Sequence, residues 1–477
     1  MSTKKRANIL FLFTDMQRYD SLGCNGSICK TPAIDEIASQ GMNFKKAYTP
    51  IALCSPARGS VITGLYPHNH GQLANLGNFN SVFDRQILDK KGYPELLSKA
   101  GYNVSYVGKW HLPKNSDTDF WGFDKWPTSW YKELQEAGIE WDFARDEVQR
   151  LEWGGDAPFC GRSNLPADKM QEYWVADQAI EMIKEYKDSD QPFMINVNFF
   201  GPHFPYSIPE PYDTMYNPED IEQWGNFKEQ FINKPLVQQK EILRWNASHL
   251  TWPDWQKVIA HYWGYCTFID DQVKRITDCL DECDMADNTV IVYTTDHGDM
   301  LGSHRIFNKG MQMYEETHHI PMVISWPGVI EPASICNQFV SLVDLMPTFL
   351  EIGNAEIPEE VEGRSLLPLF KGKKPEDWPD DVYAEFHGYE PALNSIRMVR
   401  TDKWKYIYNP CSQDELYDLE TDPDELYNLA DKIAFKHIKR RMKARLLNWL
   451  RKTNDSIADE NTWQSDSYDL FISKREE

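Results

Sequence analysis

The chain has 477 residues, 41% of them hydrophobic and 13% aromatic, with a formal net charge of -23. That length exceeds one small module and predicts a large domain with a smaller one, and the composition is that of a folded globular protein rather than a disordered one. The acidic balance argues against nucleic acid as a partner, because phosphate binding needs basic surface; an anionic substrate would require a local basic pocket.

Met1 to Arg6 is basic, but the apolar run that follows, Ile9 to Phe13, stops at Thr14-Asp15 and is too short for a signal-peptide core. No segment approaches the ~20 apolar residues that span a bilayer. The expectation is a cytoplasmic protein with no membrane partner, or a secreted or periplasmic one if a leader has been removed. Nine cysteines are scattered without CxxC pairs, so neither a disulfide framework nor a zinc site is expected.

Asn8 to Phe13 reads as a buried strand and Pro32 to Gln40 as the helix after it. Strand-like runs recur at Asn103 to Val107, Phe193 to Phe199 and Thr289 to Tyr293, which predicts an α/β fold with a large, mostly parallel central sheet flanked by helices. Ligands in such sheets gather at the carboxyl ends of strands. There the sequence places Asp15, then Gly108-Lys109-Trp110-His111, Gly201-Pro202-His203, and Asp296-His297-Gly298-Asp299. Asp117 to Trp153 and Tyr212 to Trp255 are rich in Trp and acidic residues with weak periodicity, and read as loops or insertions at the rim of the site. Gly372-Lys373-Lys374-Pro375 and Pro379-Asp380-Asp381 read as a linker, followed by strands at Ser395 to Arg400 and Trp404 to Tyr408 and a basic-faced helix from Lys432 to Arg451. The expected division is a catalytic domain over 1–375 and a smaller C-terminal α+β subdomain, antiparallel sheet plus helix, over 376–477.

The segment Cys54-Ser55-Pro56-Ala57-Arg58-Gly59-Ser60-Val61-Ile62-Thr63-Gly64 resembles the signature of the type I sulfatases of the alkaline phosphatase superfamily. The resemblance implies that a maturation enzyme oxidises Cys54 to formylglycine, whose hydrate carries two hydroxyls on one carbon. One would attack sulfur, and the other would release sulfate by losing its proton, which a plain hydroxyl could not do. Pro56 suits a first helical turn, so the nucleophile would sit at a helix N-terminus that favours anions.

Further matches follow in chain order. Lys109 and Lys309 resemble the family's sulfate-binding lysines, His111 the histidine that hydrogen-bonds the formylglycine hydroxyl, and His203 the general acid for the leaving alcohol. Arg58 would hydrogen-bond the nucleophile or a metal-site carboxylate. A hard divalent cation is implied, held by Asp15, Asp296, His297 and the residue made from Cys54, with calcium expected first and magnesium second. The family usually follows Asp15 with a second oxygen ligand, and here Met16 stands there, a poor ligand for a hard cation unless Gln17 or water substitutes. His319 stands where the family commonly has Arg, so a scaffold ion pair would be missing or rebuilt. Asp20 and Asp299 read as surface or capping residues.

The expected activity is hydrolysis of a sulfate ester, of a sulfated sugar or oligosaccharide such as a glycosaminoglycan fragment. His387 and Glu390 lie where the family contacts substrate, and Trp126, Trp130, Trp141, Trp153, Trp252 and Trp255 either stack on sugars or pack the insertions. Two alternatives share the motifs: a phosphonate or phosphate ester hydrolase of the same superfamily, and a non-catalytic carbohydrate-binding relative.

Overall fold

A computed structural model describes residues 6–76, 87, 89–113, 121–127, 129–141, 159–245, 247–389 and 392–458. Strand Asn8–Thr14 is buried at every residue. Ile9, Phe11 and Phe13 enter one core layer and Leu10 and Leu12 the other, so the continuous apolar run reflects a strand covered on both faces. Seven strands form the central sheet, in the spatial order Ser334–Cys336, Met42–Phe44, Met322–Ser325, Thr289–Thr295, Asn8–Thr14, Phe193–Asn198, Asn103–Gly108. The last four run parallel, and Met322–Ser325 is antiparallel to both its neighbours.

Register brings the chemistry together. Thr14 pairs with Thr295, Phe13 with Asn198, and Gly108 with the same Asn198. Asp15, Asp296 and Lys109, each one residue beyond its strand, therefore leave the sheet along one edge.

Helix Cys54–Thr63 is buried throughout. On the opposite face lie Gln171–Tyr186 and the 31-residue helix Trp252–Glu282, whose start is fixed by a capping box between Thr251 and Asp254. Of the reading of Tyr212 to Trp255 as loops or insertions, the loop alternative is corrected here. That stretch contains helix Leu236–Arg244 and the first turn of Trp252–Glu282. From Val258 to Asp270 every residue is buried, and a helix apolar on all sides has no one-sided pattern to read. Of the other Trp-rich stretch, helix Trp130–Glu136 is described, whereas Trp153 lies outside the described residues.

At the C-terminus four antiparallel strands, Asp381–Tyr389, Ala392–Thr401, Trp404–Tyr408 and Glu415–Asp418, form a separate sheet. Helix Lys436–Lys452 covers it with Ile438, Met442, Leu446 and Leu450. All nine cysteines are free. Among the described residues no helix is long and apolar enough to cross a membrane.

Candidate active site

Cys54 opens a helix directly after the extended Leu53, so its side chain stands at the helix N-terminus, where backbone N–H groups favour an anion. The rest of the signature is explained by packing. A Cβ on Gly59 would fall 2.8 Å from Ile87 and 2.9 Å from His70. Thr63 Oγ1 donates to Gly59 O at 2.7 Å, and Gly64 ends the helix at φ 67°, a left-handed cap that glycine adopts without strain.

Around Cys54 Sγ stand Asp15 Oδ1 at 3.7 Å, His297 Nε2 at 3.3 Å and Lys109 Nζ at 3.9 Å, and the rings of His111 and His203 act on the same side chain electrostatically. Arg58, one turn further along the helix, holds both carboxylates, with Nε on Asp296 Oδ2 at 3.0 Å and Nη2 on Asp15 Oδ2 at 3.2 Å; its Nη1 reaches Lys109 O at 2.9 Å and Asn198 Oδ1 at 3.2 Å. Lys109 Nζ lies 2.5 Å from Asp15 Oδ2. Its approach depends on Gly108, where a Cβ would fall 1.8 Å from Asn198 O.

The electrostatics favour negative charge at residue 54. Burial would raise the Cys54 thiol, but Lys109, Lys309 and His297 together hold it well below its ordinary value. Asp15 is likewise held far down by Lys109, His203 and Arg58 against burial and the Cys54 charge. Burial and the neighbouring Asp15 push Asp296 up to about 6. His203 is lowered by burial and by the two lysines. It donates from Nδ1 to Phe204 O at 2.5 Å, which leaves Nε2 facing Lys309 Nζ at 3.4 Å.

Ligand atoms of Asp15, Cys54, Asp296 and His297 all lie within 4.8 Å of one another. His297 Nδ1 donates to Gly298 O at 2.8 Å, which fixes the ring so that Nε2 is the nitrogen facing Cys54. Two carboxylates and an oriented imidazole form a donor set that fits a divalent cation.

Gln17 does not replace Met16 as a ligand. Its Oε1 faces Thr14 and Tyr293, away from Cys54. The reversal follows from Met16, which at φ 65° turns its own side chain into the pocket against Lys309. The scaffold around His319 is rebuilt: the ring stacks on Tyr19 with centroids 3.8 Å apart, while Glu315 pairs with Lys405 at 2.7 Å and Arg400 at 3.5 Å. His387 lies 3.4 Å from Glu385 and has no recorded contact with the Cys54 cluster among the described residues; Glu390 lies outside them. Trp255 is 1% exposed and packs the core, whereas Trp126 is exposed. Asp20 pairs with Arg18, and Asp299 accepts from Tyr206.

Two contributors went unnoticed in the sequence. Asn198 accepts from Arg58, and Asn75 Oδ1 accepts from Ser55 N at 3.0 Å at the first turn of the Cys54 helix. For Asn198 the available signal was its place at the end of a buried strand; for Asn75 there was none.

A family model described as Sulfatase matches residues 7–355, and one described as N-sulphoglucosamine sulphohydrolase, C-terminal, matches 302–452. The chain is 30% identical over 466 residues to the uncharacterized sulfatase YidJ of Escherichia coli K12, covering 94% of this chain and 88% of that one. It is 26% identical to an N-acetylglucosamine-6-O-sulfatase of Bacteroides thetaiotaomicron, over 96% and 88% of the two chains. Among solved structures, a phosphonate monoester hydrolase of Agrobacterium radiobacter is similar with a TM-score of 0.79 at 25% identity, over 94% and 96%. A match across most of the length, with Cys54 seated among carboxylates, lysines and histidines, identifies the chain as a member of the sulfatase family, a sulfuric ester hydrolase of the alkaline phosphatase superfamily.

Proposed function

We propose that the protein hydrolyses the sulfate ester of a sulfated sugar or oligosaccharide, such as a glycosaminoglycan fragment, with a nucleophile made from Cys54 by a formylglycine-generating enzyme. The observation that carries this reading is the convergence of Asp15, His297, Lys109, His111 and His203 on one buried side chain at a helix N-terminus. Cys54 Sγ stands where an oxygen of the matured side chain would sit. Asp15, Asp296, His297 and that residue would hold a divalent cation, which supplies Lewis-acid neutralisation of the sulfate. Calcium is proposed first and magnesium second, because calcium tolerates an irregular ligand set and magnesium demands a near-ideal octahedron.

The remaining roles belong to this chain's own side chains. Lys109 and Lys309 clamp the sulfate oxygens and stabilise charge as the ester bond breaks. His203 Nε2 carries the proton to the leaving oxygen; an arriving sulfate offsets the lysines that pull its pKa down. His111 takes the proton from the second hydroxyl of residue 54. Arg58 orients the two carboxylates. The division into 1–375 and 376–477 is part of the same proposal, supported by the separate C-terminal sheet. The sugar assignment draws on the N-acetylglucosamine-6-O-sulfatase relative and on the sulphoglucosamine-type C-terminal match.

Intact mass of the tryptic peptide spanning Cys54 tests the nucleophile, since conversion to the aldehyde lowers it by about 18 Da. A panel of defined sulfated mono- and disaccharides, with aryl sulfate, choline sulfate and a phosphonate monoester as controls, tests the substrate. The expected result is fastest turnover of a sugar sulfate. The likeness to the phosphonate monoester hydrolase favours a second reading, and faster cleavage of the phosphonate would establish it instead.

A further inference from the structure

Helix Lys436–Lys452 carries eight Lys or Arg and no Asp or Glu, on a chain whose net charge is -23. Burial of Ile438, Met442, Leu446 and Leu450 against the C-terminal sheet turns Arg440, Arg441, Ala444, Asn448, Arg451 and Lys452 outward, all of them exposed. Lys439 is paired with Asp414, and Arg445 with Asp380 and Asp381. Among the described residues Arg440, Arg441 and Arg451 have no carboxylate partner. Arg441, Arg445 and Lys452 border a surface groove of about 520 Å³ with Ala444 and Asn448 along it. One wall is fixed, because Trp449 Nε1 donates to Asp381 at 2.8 Å and its ring stacks on Tyr383.

We propose that this face is an exosite for a sulfated polysaccharide, distinct from the Cys54 pocket; it rests on the sugar-sulfate reading above. Arg440 and Arg451 stand about 16 Å apart along the helix, so the cations form a strip that one thin, repeatedly charged chain can follow. Between them the outward face holds Ala444, Asn448 and the half-buried Leu447, a single apolar side chain and too little to seat the helix in a lipid layer. The net charge of -23 on the chain as a whole repels a polyanion. A foothold on the strip offsets that repulsion and raises the local concentration of sulfate esters near the pocket. The strip joins the catalytic layer through Thr453 O, just past the helix, which accepts from His68 Nε2 at 2.9 Å.

The test is fluorescence anisotropy of the full-length protein with a labelled, size-fractionated heparin oligosaccharide across a salt series. A triple variant, Arg440→Gln with Arg441→Gln and Arg451→Gln, should bind at least about tenfold more weakly and lower the log affinity against log salt slope by about 2 to 3. Replacing the same arginines by lysine should restore most of the binding, and an unchanged thermal midpoint shows that the fold is intact. The ratio of kcat/KM on a sulfated polymer to that on a sulfated monosaccharide should fall in the triple variant. Unchanged affinity and slope overturn the exosite, as does tighter binding of a single-stranded RNA or of phosphatidylserine vesicles to the same arginines. Because binding is read without turnover, failure of every sugar sulfate in the substrate panel would remove the substrate reading while leaving this measurement decisive for the exosite.

Discussion

The Met16 thioether sulfur lies 3.3 Å from the Lys309 ammonium, at the strand end where an oxygen ligand to the metal is expected. Met16 adopts φ 65°, a conformation that Asp and Asn accept better than most residues. Met16→Asp should therefore fit and add a hard ligand beside Asp15. We expect calcium affinity, measured by competition with a chromophoric chelator, to rise on the order of tenfold, or about 1.4 kcal/mol. In excess chelator the same variant should unfold earlier than the wild type, since a third carboxylate then faces Asp15 and Asp296. Unchanged affinity would show that position 16 does not border the metal.

Arg58 is 4% exposed and bridges two carboxylates that are fully buried. Removing one partner of a buried ionic cluster leaves charge without compensation, so Arg58→Ala should cost about 3–5 kcal/mol in metal-free urea unfolding. Arg58→Lys keeps the charge but loses the planar fork that reaches Asp15, Asp296 and Asn198 together, and should recover only part of that loss. A cost for Arg58→Ala of about 1 kcal/mol or less, the size of an exposed pair, would contradict this account.

The strand ends were legible because a parallel, doubly covered strand leaves its polar residues only at its tips: Asp15, Lys109 and Asp296 all emerged this way. The Cys54 to Gly64 signature was legible because helix start, close packing and left-handed cap each restrict residue type. What was hidden depends on contacts between distant segments. Gln17 turns away through the backbone of Met16, Asn75 meets Ser55 across a loop, and His387 follows a register shift between Phe386 and Gly388 that places it on Glu385. The helix from Trp252 was obscured because its middle, Val258 to Asp270, is buried on all sides.

Gly59 gives a sharper check on the signature. A methyl group there would meet Ile87 and His70, and His70 is held by Ser60 Oγ at 3.1 Å and Pro56 O at 3.2 Å, so it cannot yield without loosening the Cys54 helix. Gly59→Ala should destabilise by about 1–3 kcal/mol, as overpacking does, although alanine is the better helix former. A variant as stable as the wild type in urea would mean that the contact relaxes freely.

His68 links the turn after the Cys54 helix to the C-terminal sheet and predicts a pH dependence of stability. Its Nδ1 lies 2.6 Å from Glu385 Oε2 and its Nε2 lies 2.9 Å from Thr453 O, two acceptors that together call for a protonated ring. Burial lowers its pKa, but Glu385 and then Asp455 outweigh burial and push it up to about 9; Arg397 and His387 also face these carboxylates. A group whose folded pKa is raised contributes its full stabilisation below the unfolded value of 6.5 and loses it as pH rises through 9. Glu385, held well below 4.5, contributes above that value and would be lost only on acidification. Between pH 6.5 and 9 the His68 contribution should therefore fade, by roughly 3 kcal/mol at most. Urea unfolding at both ends of this window, for wild type and His68→Gln, isolates it: the wild-type advantage should shrink at the alkaline end, and an advantage that stays constant or grows would show that His68 is not charged in the fold.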